Sequence, residues 1–252
     1  MSKSEKSINT AQANAVHFTL QGKGGVGKSM ASSWLAQYFK SIDGCTVQCF
    51  DADPVNQTLV SYKSLNAEYI ELKDGSKIDE RKFDGLMERL LSEQGVFVVD
   101  NGSSSFIPLS NYMFENNVIP MLRDAGKQVF IHCIITGGQA LMDTLAGFKA
   151  LAEQTDSKNI VVWLNEYFGP IELNDKTFTD MKVYSDYSDK VRGIVKIPKR
   201  NPDTFGKDIE LMSSKKLTFN EVLNGSDFSI MAKQRIKTVQ RDIYDQLKEV
   251  GF

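Results

Sequence analysis

Gln21-Gly22-Lys23-Gly24-Gly25-Val26-Gly27-Lys28-Ser29 is the stretch on which the fold turns. It has the form G-x-x-x-x-G-K-S, the P-loop. Its glycines let backbone N–H groups turn inward and meet an oxyanion closely. Lys28 is placed to reach the β- and γ-phosphates of a nucleotide, and the Ser29 hydroxyl to ligate Mg²⁺. The flanks agree. Residues 15–20 form an apolar run of strand length, and Met30, Ala31, Trp34, Leu35 and Phe39 recur at helical spacing. Strand, glycine loop and helix N-terminus together make an anion site. Gly22, Gly24 and Gly27 also spell G-x-G-x-x-G, the dinucleotide fingerprint, and Asp51 stands where a ribose-binding acid would. Lys28-Ser29 decides between the two, because a dinucleotide turn has no use for a lysine and a magnesium ligand there.

Working outward, residues 46–50 read as the second strand, ending in Asp51-Ala52-Asp53-Pro54-Val55-Asn56. Ligands of open α/β sheets gather at such strand ends. The plain alternative is a turn, which Asp and Pro favour in any case. Residues 67–72 suggest a short strand. Residues 78–92 suggest a helix with Phe83, Leu86, Leu90 and Leu91 on one face. Residues 96–99 are a continuous apolar run, as in a buried parallel strand, and end in Asp100-Asn101-Gly102. An acid there is the second half of a P-loop site, holding Mg²⁺. Gly102 could offer its N–H to a γ-phosphate.

Residues 106–126 read as helix interrupted at Pro120, and 128–135 as another buried strand. Thr136-Gly137-Gly138 then opens a helix carrying Leu141, Leu145, Phe148 and Leu151; such a turn is mostly a capping device. Residues 160–164 are the next strand, ending at Asn165. An asparagine there can pair with a purine edge or simply make a turn. The connection to the strand at 191–197 is long, and it carries Tyr167, Phe168, Phe178, Tyr184 and Tyr187. A partner-facing surface and a small local core explain that aromatic density equally well. After Pro198 the chain reads as helix at 203–213, 218–223 and 228–250.

Composition bounds the rest. Net charge is −2, which argues against a wholesale nucleic-acid binder. Nine of the cations in the last third still leave room for a local basic patch: Lys199, Arg200, Lys207, Lys215, Lys216, Lys233, Arg235, Lys237 and Arg241. The three cysteines, an odd number, suit reduced thiols in a cytosolic protein. Cys45 and Cys49, placed in one expected strand, would sit about 13 Å apart, too far for one metal. Residues 1–14 are polar, without the apolar core of a signal peptide, and read as a flexible tail before a single domain at 15–252. No apolar run suffices to span a membrane, and no anchor is evident.

These motifs carry a resemblance. Lys23 within Lys23-Gly24-Gly25-Val26-Gly27-Lys28-Ser29 resembles the deviant Walker A motif of the ParA/MinD ATPases. Asp51-Ala52-Asp53-Pro54 is similar to their switch I, and Asp100-Asn101-Gly102 to their switch II. The resemblance extends through Thr136-Gly137-Gly138-Gln139-Ala140-Leu141 and Val161-Val162-Trp163-Leu164-Asn165 toward conjugative-plasmid members of that family.

It implies an α/β fold of three layers, with helices flanking a mostly parallel sheet of roughly seven or eight strands. It implies ATP and Mg²⁺ as ligands, cradled by Gly22, Lys23, Gly24, Gly25, Val26, Gly27, Lys28, Ser29 and Met30. Lys23 would cross a homodimer interface to the ATP of the other subunit. Asp53 would position the attacking water. Ser29, Asp51 and Asp100 would hold the metal or its waters. Asn165 would read adenine, and the loop after Pro198 would close over it. A protein partner in plasmid transfer or maintenance follows from the same likeness.

Switch I here reads D-P-V-N, so Asn56 is not carried over, and switch II lacks paired prolines. Asn165-Glu166-Tyr167-Phe168 is not the N-K-x-D of a GTPase. Other classes on this fold are a small-molecule kinase or ATP-dependent ligase, which would need a mobile basic lid, and a nucleotide-binding adaptor without hydrolysis.

Overall fold

The structure is a computed structural model, described here for residues 14–252. The expected tail falls almost wholly outside the described residues. Asn14, at its end, is anchored: its carbonyl accepts from the Gln128 N–H, and its side chain bonds Gly126 and Lys127.

The strands in chain order are β1 (Ala15–Thr19), β2 (Val47–Ala52), β3 (Glu68–Tyr69), β4 (Lys73–Asp74), β5 (Lys77–Ile78), β6 (Val96–Asn101), β7 (Gln128–Thr136), β8 (Ile160–Asn165), β9 (Glu172–Leu173), β10 (Lys176–Thr177) and β11 (Val191–Ile197). Seven of them form one sheet in the order β11-β8-β7-β1-β6-β2-β3. Every pairing in it is parallel. Parallel sheets need both faces covered, and the side-chain alternation does this. Val16, Phe18 and Leu20 of the first strand and its exit face one core, with Phe97, Val99, Ile131 and Val162. Ala15, Val98, Ile134 and Trp163 face the other. Helices α2 (Phe83–Ser92), α3 (Phe106–Glu115), α4 (Val118–Asp124) and α5 (Leu141–Gln154) cover the first face. Helices α1 (Lys28–Lys40), α8 (Phe219–Asn224) and α9 (Ile230–Val250) cover the second. Helix α6 (Lys182–Tyr187) packs against the first core, and α7 (Lys207–Ser214) against the second.

Three boundaries differ from the expectation. Helix α2 starts at Phe83 rather than Ile78, because Gly75 (φ 60°) turns β4 back on β5 and Asp79 caps the turn that follows. The long helix expected over residues 106–126 breaks at Asn117 (φ 51°), not at Pro120. Asparagine tolerates that left-handed conformation, and Pro120 sits in the first turn of α4, where no N–H is needed. Cys45 lies before β2 rather than within it. The aromatic connection divides. Phe178 is buried against Phe148 and Tyr184, a local core, while Tyr167 and Phe168 stay exposed.

One buried polar chain crosses the second face. Trp163 Nε1 donates to His132 Nδ1 at 2.9 Å, and His132 Nε2 meets His17 Nδ1 at 2.9 Å. The indole can only donate, so His132 carries its proton on Nε2 and passes the bond to His17. Both rings are thereby fixed as neutral. Burial lowers both pKa values, that of His132 to about 3. Between pH 6.5 and that value the unfolded chain takes up protons that the folded chain refuses, so stability falls as pH drops. Asp100, raised by burial, works in the opposite sense, so a comparison must cancel it. We expect the urea-unfolding free energy of the wild type to fall more between pH 7 and pH 5 than that of His132→Asn, in which Asp100 is unchanged. Equal losses would contradict the assignment.

Candidate nucleotide-binding site

The P-loop follows central strand β1. Gly27 caps α1 in the left-handed region (φ 101°), and the first turn of α1 holds no acid, so its positive end is free for an anion. Lys28 is buried, and its ammonium donates to the Lys23 carbonyl at 2.8 Å. Burial lowers its pKa, while the charges of Asp100 and Asp53 oppose that shift. Lys23 points elsewhere. Its Nζ pairs with Asp143 of α5 at 2.7 Å, in the same subunit, with both side chains about half exposed. The loop's entrance is anchored by a residue that motif reading passes over. Gln21 is fully buried, and its amide donates to the carbonyls of Ile134 (2.9 Å) and Thr144 (3.1 Å). Gly147 leaves room for it: a Cβ there would lie 2.1 Å from Gln21 Oε1.

The three acids arrive from β2 and β6, with Asp51 and Asp100 in register. Their environments differ. Asp51 accepts from the N–H groups of Asp53 (3.0 Å), Leu59 (2.8 Å) and Val60 (3.1 Å). That carboxylate organises the loop after β2 rather than facing open space. Asp53 accepts from the N–H groups of Val55 (2.8 Å) and Asn56 (3.2 Å) and from the Asn56 amide (3.1 Å). Asn56 therefore has a role that the departing motif did not reveal. Asp100 has no main-chain donor among the described residues. Its Oδ1 accepts from Ser32 at 2.8 Å, and Ser32 is itself 2.8 Å from Thr19. Its Oδ2 is buried without a partner. Burial pushes its pKa up to about 7; the Asp51 charge adds to this, while Ser29, Ser32 and Lys28 oppose it. An orphaned buried carboxylate oxygen next to a hydroxyl fits Mg²⁺, which takes oxygen ligands and keeps several waters. Ser29 and Asp100 are the pair that would hold it. Gly102 abuts Asp53, where an added Cβ would lie 2.5 Å from Oδ1.

Beside the loop lies a cavity of about 500 Å³, lined by Gly25, Gly27, Met30, Trp34, Asn165, Tyr167, Phe168, Pro198, Arg200, Ile209 and Val239, among others. Its size and apolar walls suit a nucleobase. Asn165 reaches it but is engaged on the main chain: its amide donates to the Val26 carbonyl at 3.0 Å, and its Oδ1 accepts from the Tyr167 N–H at 3.2 Å. Thr136 does not cap the next helix. Its hydroxyl donates to the Asn165 carbonyl at 2.9 Å and ties β7 to β8. Pro198 and the π-helical turn Pro202–Gly206 form the outer wall.

The basic C-terminal third is largely neutralised. Arg200, Lys207, Lys215, Arg235 and Arg241 each pair with an aspartate. Cys49 and Cys133 are buried, which pushes their thiols up to about 11 and about 12. Among the described residues no group of His, Cys, Asp or Glu is placed to hold a metal by itself, and no helix is long and apolar enough to cross a membrane.

The family model of the CobQ/CobB/MinD/ParA nucleotide binding domain matches residues 18–242. The chain belongs to that family. Within it, the chain is similar to two Escherichia coli proteins, each called protein TraL. One is 44% identical over 237 residues, 94% of this chain and 98% of that protein; the other is 43% identical over 233 residues, 92% and 96%. The fold is also that of a ParA family ATPase from Chlorobium tepidum TLS, with TM-score 0.51 and 12% identity over 90% of this chain and 98% of that one.

The bonds of Asn165 generate a prediction. Its amide holds the P-loop at Val26, so Asn165→Ala should weaken tripolyphosphate binding as well as ATP binding, each by roughly tenfold, the scale of a lost buried hydrogen bond. Calorimetry with both ligands is the measurement. Loss for ATP alone would assign the side chain to the base instead.

Proposed function

We propose that this chain is an ATP-dependent switch ATPase that dimerises around its nucleotide and serves plasmid transfer or maintenance through a protein partner. The observation that carries the reading is the convergence of Lys28, Asp53 and a partnerless Asp100 oxygen at the carboxyl end of one parallel sheet. Lys28 would leave the Lys23 carbonyl for the phosphates. Ser29 and Asp100 would hold Mg²⁺, whose charge would offset that of the phosphates. Asp53 would orient the attacking water, and Gly102 would offer its N–H to the γ-phosphate. The base would enter the cavity bounded by Asn165 and Pro198. ATP is favoured over GTP because Asn165 is not followed by the lysine and aspartate of a guanine-reading motif.

Dimerisation is supported by what stays exposed. Val55, Ile107, Met142, Tyr167 and Phe168 are open to solvent, and they follow the carboxyl ends of β2, β6, β7 and β8. Apolar side chains gathered at the nucleotide end suit a covered face. Lys23 would exchange Asp143 for the phosphates of a second copy.

Lys28→Ala should abolish ATP binding in calorimetry, since among the described residues no other buried cation stands at the loop. Asp53→Ala should retain ATP binding and slow hydrolysis by roughly 10² or more, the scale of losing a water-positioning group. Loss of binding without a separate defect would make Asp53 structural. Lys23→Gln should bind ATP within about threefold of wild type yet fail to dimerise, because one exposed pair contributes little to the monomer. Sedimentation with ATP, with ADP and without nucleotide tests this. A wild type that stays monomeric with ATP at high concentration would overturn the shared site.

A further inference from the structure

Ser105 stands at the N-cap of α3, where a serine usually accepts a bond from the helix's first N–H groups. It makes no such bond. Its hydroxyl is fully buried and turned the other way, 2.9 Å from the carbonyl of Ala52, 2.6 Å from Asn101 Oδ1 and 3.3 Å from the carbonyl of Gly102. All three neighbours are acceptors, and a hydroxyl has one proton. Ala52 belongs to switch I and immediately precedes Asp53. Asn101 and Gly102 are switch II. The Asn101 amide donates to the Gly102 carbonyl at 3.1 Å, which makes the switch II side one connected unit. On the other side of the same junction Gly102 presses on Asp53, leaving no space for a Cβ.

We infer that Ser105 is a positioning residue that clips switch I to switch II. Its single proton can bond the Ala52 carbonyl or the Asn101 side chain at full strength, but not both together. A displacement of switch II toward a γ-phosphate would therefore change the hold on Ala52 and carry the Asp53 loop with it. Gly102 supplies the contact, and Ser105 adds a side-chain tether to the β2–β6 ladder at its last pair, Ala52 and Asn101. The inference deepens the proposed ATPase reading and rests on it for its catalytic consequence. The tether itself does not depend on that reading.

The variants are Ser105→Cys, which nearly keeps the volume but bonds weakly, Ser105→Ala, and Ser105→Thr, which restores the hydroxyl. Amide hydrogen exchange without nucleotide is the first measurement. Val55 and Asn56 donate to Asp53, whereas Leu59 and Val60 donate to Asp51. Ser105→Cys and Ser105→Ala should speed exchange at the first pair by roughly tenfold, the scale of one lost buried hydrogen bond, and leave the second pair unchanged. Ser105→Thr should return it. Uniform acceleration at both pairs, or none, overturns the tether. The second measurement is single-turnover hydrolysis. Ser105→Cys should lower the rate by roughly tenfold with ATP affinity within about threefold, since positioning acts on the chemical step. A wild-type rate in Ser105→Cys overturns the inference while leaving the ATPase reading standing. A wild type without hydrolysis removes the ATPase reading, and the exchange result still decides the tether.

Discussion

Three carboxylates and one ammonium share the carboxyl end of this sheet, and the structure depends on how that surplus of negative charge is met. Burying an ion costs several kcal/mol unless hydrogen bonds or an opposite charge replace its water. Asp51 is met by three main-chain N–H groups. Asp53 is met by two N–H groups and an amide. Lys28 cannot neutralise all three. The deficit collects on Asp100, which has hydroxyl neighbours only, one oxygen without a partner and a pKa pushed up to about 7. The donor inventory thus separates three similar acids into two that shape a loop and one that awaits a proton or a cation. The register of β2 on β6 makes this unavoidable, because it sets Asp51 and Asp100 side by side.

The P-loop was legible because its chemistry is local: nine consecutive residues contain the turn, the cation and the hydroxyl. The strands were legible for a related reason, since fully buried parallel strands read as continuous apolar runs. What the chain did not disclose is what holds the motif in place. Gln21 bonds the Thr144 carbonyl across 123 positions, and the Asn165 amide bonds Val26 across 139. Such contacts have no spacing to recognise. They arise because β1, β7 and β8 are neighbours in the sheet, which only the topology reveals. Gly147 is the same case, a helix glycine whose reason, Gln21, lies in the loop after β1. The helix break was misplaced on Pro120 for a different cause. Proline is the stronger breaker by rank, but its position in the first turn removes the penalty, and the Asn116-Asn117 pair carried the usable signal.

The buried core and the nucleotide end follow opposite rules. On the second face, aromatic rings surround the His17–His132–Trp163 chain, and it is fixed in one protonation state. At the nucleotide end two polar contacts have a competing partner. The Lys28 ammonium has a carbonyl where a phosphate could sit, and the Ser105 hydroxyl has more acceptors than protons. A rigid sheet holding exchangeable bonds is what a nucleotide-controlled element requires, since a ligand shifts an equilibrium only by its differential affinity for the two arrangements.

Lys23 shows how small that difference can be. Its bond to Asp143 is short, but both side chains are about half exposed, and a pair of this kind is worth about 1 kcal/mol at most. It can orient the lysine in a single chain without trapping it there. A triphosphate carries more negative charge than one carboxylate, and a face that excludes water strengthens its attraction. The exposed Val55, Ile107, Met142, Tyr167 and Phe168 could supply that exclusion in the proposed dimer. Asp143 would then act as a placeholder, keeping a flexible four-carbon stem out of its own phosphate cradle while the Lys28 ammonium serves it. The two lysines would be kept apart by geometry rather than by repulsion alone. Lys28 is fixed by the start of α1, and Lys23 is drawn toward the start of α5, on the other side of the loop anchored by Gln21.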